Sequence, residues 1–433
     1  MAGPAPSGGD APARPASRIR PANVPMPALA GIRGLAAVGV LVYHVASTTG
    51  LATTPGPIAD LLSPLPIVAV GIFIGMSGLF LFHPMSYAHL AGVPHRPTSV
   101  FLARRLGRIY PAYWFALLGL VVLFRYREIH GAEWLPILTL THVYVGLEGK
   151  GLFVSWTVAV ELSFYLFLPC VFWVIRRAAP VETTTPRQRL RVQFIVVGLM
   201  YLLGLLFRTA VLLGPHSWLV HGRYLFFNFL DGFGGGMIFA IVLSWRQIGN
   251  PLPSWFQYFV ERPWVCLVFA VELYWVGTRL GIPPGLVLGP LPPFRLLIFA
   301  VSLLLLIPMV CLPGIFDEHG TARYHRVFAS TPLLWLGGIS YGIYLWHLGF
   351  VVQFEQWVRE DHFPAGFWPL AIASFVCSAI AAAVSYFLVE QPALRLIKRR
   401  LAATGRTVPA HGERARVAAE PPPTSTSTRA PSR

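Results

Sequence analysis

The sequence has few charged residues and few cysteines for a chain of 433 residues. Charged side chains make up 12% of it, whereas a soluble globular protein has about 25%. That share leaves too little polar surface for a soluble protein and indicates an integral membrane protein. All four cysteines lie inside apolar runs: Cys170, Cys266, Cys311 and Cys377. None belongs to a C-x-x-C pair or stands near a histidine at metal-ligand spacing, so no zinc site, haem site or disulfide framework is indicated.

The two ends of the chain lack apolar runs. Residues 1–29 are rich in Ala, Pro, Gly and Arg and have no apolar core, so they do not have the pattern of a signal peptide. Residues 401–433 end in a stretch rich in Pro, Ser and Thr. Both ends are predicted to be disordered tails. Residues 30–400 are predicted to form one transmembrane domain.

The apolar residues, 55% of the chain, are concentrated in ten segments of the roughly 17–25 residues that a bilayer requires. These segments lie near 34–52, 66–83, 109–125, 157–175, 192–212, 224–243, 263–281, 294–312, 333–352 and 367–389. Each must be a helix, because backbone groups in lipid have to be satisfied within the segment. The predicted fold is therefore an all-α polytopic membrane protein with about ten transmembrane helices.

The 34 Lys and Arg residues, against 18 Asp and Glu, occur in short clusters between the apolar runs. If the N-terminus is inside, most of them fall in segments that face the cytoplasm. This distribution predicts that both termini are cytoplasmic, and it is interpreted as a topology signal rather than a nucleic-acid site. The longest outer segment, 126–156, is partly apolar. We expect it to dip back into the membrane or to lie along its surface.

Ionisable side chains inside the predicted spans are functional candidates, because charge is costly in lipid. They are His44, Glu161, Arg208, Asp231, Glu272 and His347. Arg33 stands eleven residues before His44, which on a helix gives nearly the same face and a separation of about 16 Å. An imidazole at that depth can accept a proton near pH 7. The alternative is a histidine that only hydrogen-bonds between helices.

Two further motifs lie in the fourth and ninth predicted spans. Glu161, in "SWTVAVELSFYLFLP" (155–169), lies in the same half of the bilayer as His44 and could orient that imidazole. It could instead pair with an arginine or line a vestibule. "SYGIYLWH" places Ser340, Tyr344 and His347 on one helix face. The alternative there is a band of interfacial aromatics with one packed histidine.

Two motifs belong to helix ends and helix contacts. "FLARRLGRIYP" (101–111) carries Arg104, Arg105 and Arg108 on the predicted inner side. These arginines serve as a positive-inside anchor and could also clamp a polyphosphate. "DGFGGGMIFA" (231–240) lacks the strand–loop–helix context of a nucleotide loop. It predicts close helix packing or a kink.

These motifs follow one another in an order that resembles a known family. They are Arg33 with His44, "GMSGLFLF" (75–82), "RRLGRIYP" (104–111), "SWTVAVELSFYLFLP", "SYGIYLWHLGF" (340–350) and "VEQP" (389–392). Together they resemble the acyltransferase 3 family of bacterial membrane O-acyltransferases. The resemblance implies a ten-helix core, an acyl-CoA donor reached from the cytosol and a hydroxyl acceptor, usually a sugar. Some members also carry a fused hydrolase-like domain, which is not expected here after residue 400.

The resemblance also implies the roles of individual residues. It makes His44 the catalytic residue, supported by Arg33, and makes Glu161 the family's acidic position. Donor binding is expected from the arginines and from the span-9 motif: Arg104, Arg105, Arg108, Ser340, Tyr344 and His347. His44 is expected to act either as general base or as the carrier of the acyl group.

The expected function is transfer of an acetyl or other short acyl group from acyl-CoA, acetyl-CoA foremost, to a hydroxyl of a carbohydrate or glycosylated acceptor. Envelope glycan, glycolipid and secondary metabolite all stay open as acceptors, as does the oligomeric state. The expected location is the inner (plasma) membrane of a bacterium. The alternative is a proton-coupled secondary transporter or flippase of a small polar solute or glycolipid. No inverted sequence repeat supports that alternative.

Overall fold

The computed structural model describes residues 26–126, 128–213, 221–279, 310–313, 315–316 and 323–403. Helices account for the regular structure in this part of the chain, and no described residue belongs to a β-strand. The long helices are α1 (Pro27–Thr48), α2 (Leu65–Ala91), α3 (Thr98–Val122), α4 (Trp156–Ala178), α5 (Pro186–Leu213), α6 (Leu230–Gln247), α7 (Pro263–Arg279), α8 (Thr331–Arg359), α9 (Phe367–Ser385) and α10 (Gln391–Ala403).

Shorter segments connect these helices. Four are short α-helices: Pro57–Leu62, Trp134–Leu138, Ser254–Glu261 and Arg323–Phe328. Four are 3-10 turns: Gly131–Glu133, His142–Tyr144, Phe153–Ser155 and Phe226–Phe229. A π-helical turn, Tyr386–Glu390, joins α9 to α10.

Seven helical segments among the described residues are long and apolar enough to cross a membrane: Pro27–Thr48, Pro57–Ala91, Phe153–Ala178, Pro186–Val211, Phe226–Gln247, Thr331–Arg359 and Phe367–Ala403. They confirm the predicted all-α polytopic fold. The predicted third and seventh spans are also helices, but α3 carries three arginines in its first half and α7 has only 17 residues. The predicted span near 294–312 lies almost entirely outside the described residues. The count of ten and the cytoplasmic termini therefore stay predictions.

The predicted tails fall mostly outside the described residues, which begin at residue 26 and end at residue 403. Where the two overlap, the chain is helical. α1 begins at Pro27 and α10 ends at Ala403, so each helix extends a little way into the segment predicted to be a tail.

The contact between α2 and α6 is made through glycine. A Cβ added to Gly236 would lie 1.9 Å from the carbonyl oxygen of Gly75, and one added to Gly78 would lie 2.2 Å from that of Phe233. The two backbones therefore approach as closely as small residues permit. α6 runs without interruption from Leu230 to Gln247. The predicted close packing of the glycine-rich motif is confirmed, and the alternative of a kink is not observed.

α8 packs against α1 and α9 in a similar way over its first half. A Cβ on Gly337 would lie 2.1 Å from the carbonyl oxygen of Ala30, and one on Gly34 would lie 2.8 Å from the Gly337 nitrogen. On the other side, a Cβ on Gly342 would lie 2.7 Å from the Ala382 Cβ. These contacts fix the rotation of α8 relative to α1, and hence the direction in which the polar residues further along both helices point.

The segment between α3 and α4 folds back along α3. Three side chains near the middle of α3 donate hydrogen bonds to its carbonyl groups. Tyr113 Oη reaches Ile137 O at 2.7 Å, Trp114 Nε1 reaches Leu138 O at 3.0 Å, and Tyr110 Oη reaches Thr139 O at 3.0 Å. These donors lie about 20 Å from the N-terminal end of α3, at ~1.5 Å per residue. The structure therefore favours a segment that dips back over one that lies flat, and the donors satisfy carbonyls that lipid could not.

Candidate functional site

A cavity lies between α1, α2, α4 and α8, and we call it the polar cavity. Its polar lining comes from five side chains: Arg33, Thr157, Glu161, Tyr341 and Tyr344. The remaining lining is apolar and includes Phe73 of α2. All five belong to motifs that were predicted to carry function, and three of them, Arg33, Glu161 and Tyr344, were predicted as site residues.

Arg33 faces this cavity with unused hydrogen-bonding capacity. Its guanidinium lies over the ring of Phe73, with Cζ 5.7 Å from the ring centroid. Its Nε is buried and has no hydrogen-bond partner within the part of the chain that the structure describes. Such a donor is available to an anionic or carbonyl oxygen that enters the cavity.

Glu161 is held by two hydroxyl groups. Ser77 Oγ donates to Glu161 Oε1 at 2.6 Å, and Tyr165 Oη donates to Glu161 Oε2 at 3.2 Å. No hydrogen bond joins Glu161 to His44 in the described structure. The carboxylate instead acts electrostatically on Arg33 and Arg105. Glu161 and His44 thus belong to neighbouring parts of the site without forming the contact that the sequence suggested.

His44 lies against His347. The two ring centroids are 5.2 Å apart with an interplanar angle of 39°, and the His347 centroid is 5.7 Å from that of Tyr344. Thr157 Oγ1 and Tyr344 Oη are hydrogen-bonded at 2.9 Å. A row of polar side chains therefore runs from α1 across α8 to the start of α4. Tyr344 and Thr157 are the members of this row that also line the polar cavity.

Two of the α3 arginines lie in the electrostatic surroundings of the cavity residues. Arg105 and Arg108 both interact electrostatically with Arg33 and Tyr165, and Arg105 also interacts with Glu161. Arg104 interacts with Arg96 and Arg105. The structure thus brings two of the three predicted arginines towards Arg33. It gives Arg104 a more peripheral position.

Glu390 joins this basic group, and the sequence analysis assigned it no role. It is 4% exposed, lies in the π-helical turn before α10 and acts electrostatically on Arg108 and Arg33. π-Helical turns occur frequently at functional sites. Its place in "VEQP" was the available signal, but the turn that directs it to the arginines is not visible in the sequence.

Ser340 was expected to contribute to the site, but its neighbour Tyr341 does so instead. Ser340 Oγ donates to Gly337 O of its own helix at 2.9 Å and does not line the cavity. Tyr341, its neighbour, lines the cavity and donates from Oη to Ile109 O of α3 at 3.2 Å. Of the three residues predicted to share a face, Ser340, Tyr344 and His347, Tyr344 is the one that lines the cavity.

His142 is a buried histidine that the sequence analysis missed, because it lies outside the predicted spans. Its Nε2 is 3.1 Å from Ser155 Oγ, and its Nδ1 has no partner among the described residues. Burial lowers the pKa of His142 to about 4, against the opposing field of Glu148. The ring is therefore neutral at pH 7 and fastens the segment between α3 and α4 to the start of α4.

The other ionisable residues of the predicted spans are not part of this site. Arg208 Nη2 donates to Asp231 Oδ1 at 2.8 Å and to Asn228 O at 2.7 Å. This pair joins α5 to α6 and leaves Asp231 with a countercharge. Glu272 of α7 is exposed. In the described residues, no group of three or more His, Cys, Asp and Glu could hold a metal ion.

The comparisons with known proteins agree with the motif order. A model of the acyltransferase 3 family, described as an acyltransferase domain, matches residues 26–388. A protein of Bacillus subtilis (strain 168), named as a putative peptidoglycan O-acetyltransferase, is 25% identical over 389 residues, which cover 85% of this chain and 54% of the relative. A protein of Staphylococcus aureus (strain MSSA476), named as a putative O-acetyltransferase, is 20% identical over 392 residues, which cover 85% of this chain and 57% of the relative.

The chain spans about half the length of these curated relatives. No solved structure matches it. The family match covers most of the chain, including every motif of the polar cavity. The chain therefore belongs to the acyltransferase 3 family.

Proposed function

We propose that this protein transfers a short acyl group, acetyl foremost, from acyl-CoA to a hydroxyl of a sugar-containing acceptor. The observation that carries the proposal is that the polar cavity joins two different groups. Arg33, in its lining, has the α3 arginines in its electrostatic surroundings, and Tyr344, also in its lining, belongs to the row that contains two imidazoles. An acyl-CoA thioester likewise combines a charged phosphate portion with a small acyl portion.

The arginines are the residues that would bind the donor phosphates. Arg105 and Arg108 of α3 lie on the predicted inner side, and Arg33 adds a third guanidinium whose Nε has no partner among the described residues. Guanidinium groups suit phosphate because they offer several donors in a fixed plane. Glu161 and Glu390 oppose the repulsion among the three cations, which keeps the cluster together when the donor is absent.

His44 would carry out the proton transfer. As general base it removes the proton from the acceptor hydroxyl, whose oxygen attacks the thioester carbonyl carbon. The carbon–sulfur bond then breaks, and the thiolate leaves with the proton. In the alternative, the imidazole attacks the thioester first and holds the acyl group before the acceptor does. General base assistance is typically worth ~10²–10⁴-fold in rate.

Other features of the proposal follow from the family and from the relatives' names. The Bacillus relative is named for peptidoglycan, which makes an envelope glycan the first acceptor to test, ahead of a glycolipid or a glycosylated metabolite. We place the protein in the bacterial plasma membrane with both termini in the cytoplasm. The oligomeric state stays open.

The test uses purified protein, radiolabelled acetyl-CoA and a panel of sugar acceptors. We expect thiol release that depends on the acceptor, and a His44→Gln variant slowed by about 10²–10⁴-fold. His83→Gln is the matched control, since His83 lies on α2 and pairs with Gln247 at 2.9 Å, away from the polar cavity. Wild-type activity in a folded His44→Gln protein would contradict the proposal. So would counterflow of an unmodified solute in proteoliposomes without any acyl transfer, which is the behaviour of a transporter.

The two forms of the mechanism are separated by leaving the acceptor out. Labelled acetyl that stays on the protein after denaturation, and that maps to His44, indicates the acyl-carrier form. Label that remains entirely in the donor indicates the general-base form.

A further inference from the structure

His347 presents a buried nitrogen that no group in the described part of the chain satisfies. Its Nδ1 is 2.8 Å from the carbonyl oxygen of Tyr344 and 3.3 Å from that of Ile343. A carbonyl oxygen can only accept, so Nδ1 carries the ring proton. Nε2 is then the unprotonated nitrogen, whose lone pair can accept a hydrogen bond. The residue is 0% exposed, and its Nε2 has no partner. Leaving a buried acceptor unsatisfied costs free energy, so this atom needs a donor in some working state.

His44 is the titratable side chain in the right place to supply that donor. Its ring is 5.2 Å from the His347 ring, centroid to centroid. The other ring beside His347 is Tyr344, whose hydroxyl is hydrogen-bonded to Thr157 Oγ1 at 2.9 Å. The Thr157 hydroxyl has a single proton and lies 3.1 Å from the carbonyl oxygen of Val154, which can only accept, so the bond between the two hydroxyls engages the Tyr344 proton. The carboxylate of Glu161 already accepts from Ser77 and Tyr165. At that separation an N–H of His44 can be directed at Nε2 of His347, and contacts of this kind often tighten only when substrate binds.

We propose that His347 is the proton partner of His44. The Nε2 of His347 accepts a hydrogen bond from one ring nitrogen of His44 while the other takes the proton of the acceptor hydroxyl. The positive charge that forms on His44 is thereby stabilised, and the proton leaves with the thiolate of the donor. His347 gains no proton and is a positioning residue that acts through His44.

This inference rests on the proposed function and deepens it. It gives His347 the part that the sequence suggested for Glu161, and it replaces the donor-binding role expected for His347. The arrangement resembles the way a carboxylate orients the base of a catalytic triad. A neutral imidazole has one advantage in a membrane interior. The pair carries no charge at rest, so it avoids the desolvation cost that a carboxylate would incur.

Two substitutions separate this role from others. In His347→Asn, the side-chain amide can still donate to the Tyr344 carbonyl, but no atom remains at the position of Nε2. In His347→Gln, the longer side chain can place an amide oxygen near that position. We expect His347→Asn to lower kcat by about 10²-fold, on the scale of base catalysis, with the KM for acetyl-CoA unchanged. We expect His347→Gln to recover a large part of that loss.

Trp346→Phe is the matched control for packing. Trp346 is adjacent in sequence, is 4% exposed and has an indole nitrogen without a described partner. It faces α3, where its ring lies 5.8 Å from that of Phe115. We expect this variant to keep the wild-type kcat. The thermal unfolding of every variant is measured in the same detergent.

Three results would overturn the inference. A raised KM with an unchanged kcat would mean that His347 binds the donor. Wild-type kinetics in both His347 variants would mean that it has no part in the reaction. Equal loss of kcat in both variants, together with lowered melting temperatures, would mean that it only packs. If wild-type protein shows no acceptor-dependent thiol release, the proposed function fails as well. If wild-type protein transfers acyl groups and both His347 variants do so with wild-type kinetics, this inference fails while the proposed function stands.

Discussion

Two helix contacts in this molecule differ in what lies between the helices: backbone alone in one, and polar side chains as well in the other. Between α2 and α6 the backbones meet at Gly78 and Gly236, where an added Cβ would overlap the carbonyl oxygens of Phe233 and Gly75. Between α1 and α8, glycine makes the contact only over the first half, and further along the rings of His44 and His347 lie between the two backbones, 5.2 Å apart.

The difference shows how one fold provides both a scaffold and a site. Backbones in contact leave no room for a polar side chain, so the α2–α6 contact can contribute only to stability. Where α1 and α8 no longer meet at glycine, there is space for two imidazoles, and Nε2 of His347 has no partner among the described residues. Changes to the first kind of contact should alter stability alone. Changes to the second should alter activity alone.

The largest expected effect in this comparison comes from Arg33→Met. The substitution keeps an apolar stem over Phe73 but removes the guanidinium that faces the polar cavity. Removing one preorganised donor typically costs about 10²–10³-fold in rate, so we expect kcat/KM to fall by that amount. Folding should change little, because the lost Nε had no described partner.

Steady-state kinetics with acetyl-CoA measures this effect, and Arg187→Met on the exposed start of α5 is the control. A folded Arg33→Met protein with normal kinetics would show that the polar cavity is not the site. A protein that failed to fold would show that Arg33 belongs to the scaffold instead.

The next effect concerns the glycine contact. In Gly236→Ala the new methyl group overlaps the Gly75 carbonyl, and overpacking of this kind costs about 1–3 kcal/mol. Gly235→Ala is the matched control, because a Cβ there meets nothing within 4 Å. Its higher helix propensity should make it neutral or more stable by up to ~1 kcal/mol.

Unfolding in detergent micelles and activity per folded molecule should both be measured for this pair. We expect Gly236→Ala to unfold more easily while its specific activity stays at the wild-type value. A loss of specific activity at unchanged stability would break the division between scaffold and site.

The smallest effect concerns the segment between α3 and α4, which neither contact includes. Ser155→Ala removes the hydrogen bond to His142 Nε2 and leaves a buried imidazole with no described partner. A net hydrogen bond is worth about 0.5–1.5 kcal/mol. Ser163→Ala removes a more exposed bond from Tyr144 to the same helix, at 2.6 Å, and should cost less.

Amide hydrogen exchange over residues 131–155 would detect both changes. We expect faster exchange in Ser155→Ala than in Ser163→Ala, and little change elsewhere. Equal exchange in the two variants would mean that the buried histidine does not fasten the segment.

Part of the site followed from the sequence because depth and helix face are local properties. Arg33 and His44 were placed on one helix at a known spacing, and both contribute to the site or its edge. The pairing of His44 with Glu161 was inferred from equal depth alone. In the structure, Glu161 is turned towards Ser77 and the arginines, and His347 occupies the place beside His44. Tyr341 and Glu390 were missed for the same reason, since their directions depend on neighbouring helices.

The sequence by itself determined the membrane class, most of the spans and the close packing of the glycine-rich stretch of α6. Each of these depends on composition or on the period of one helix. Only the tertiary structure decided which side chains meet across helices. That outcome depends on the rotation and tilt of each helix, which are set by backbone contacts such as Gly34 with Gly337. Those contacts join residues far apart in the chain, and no local pattern records the angle at which they meet.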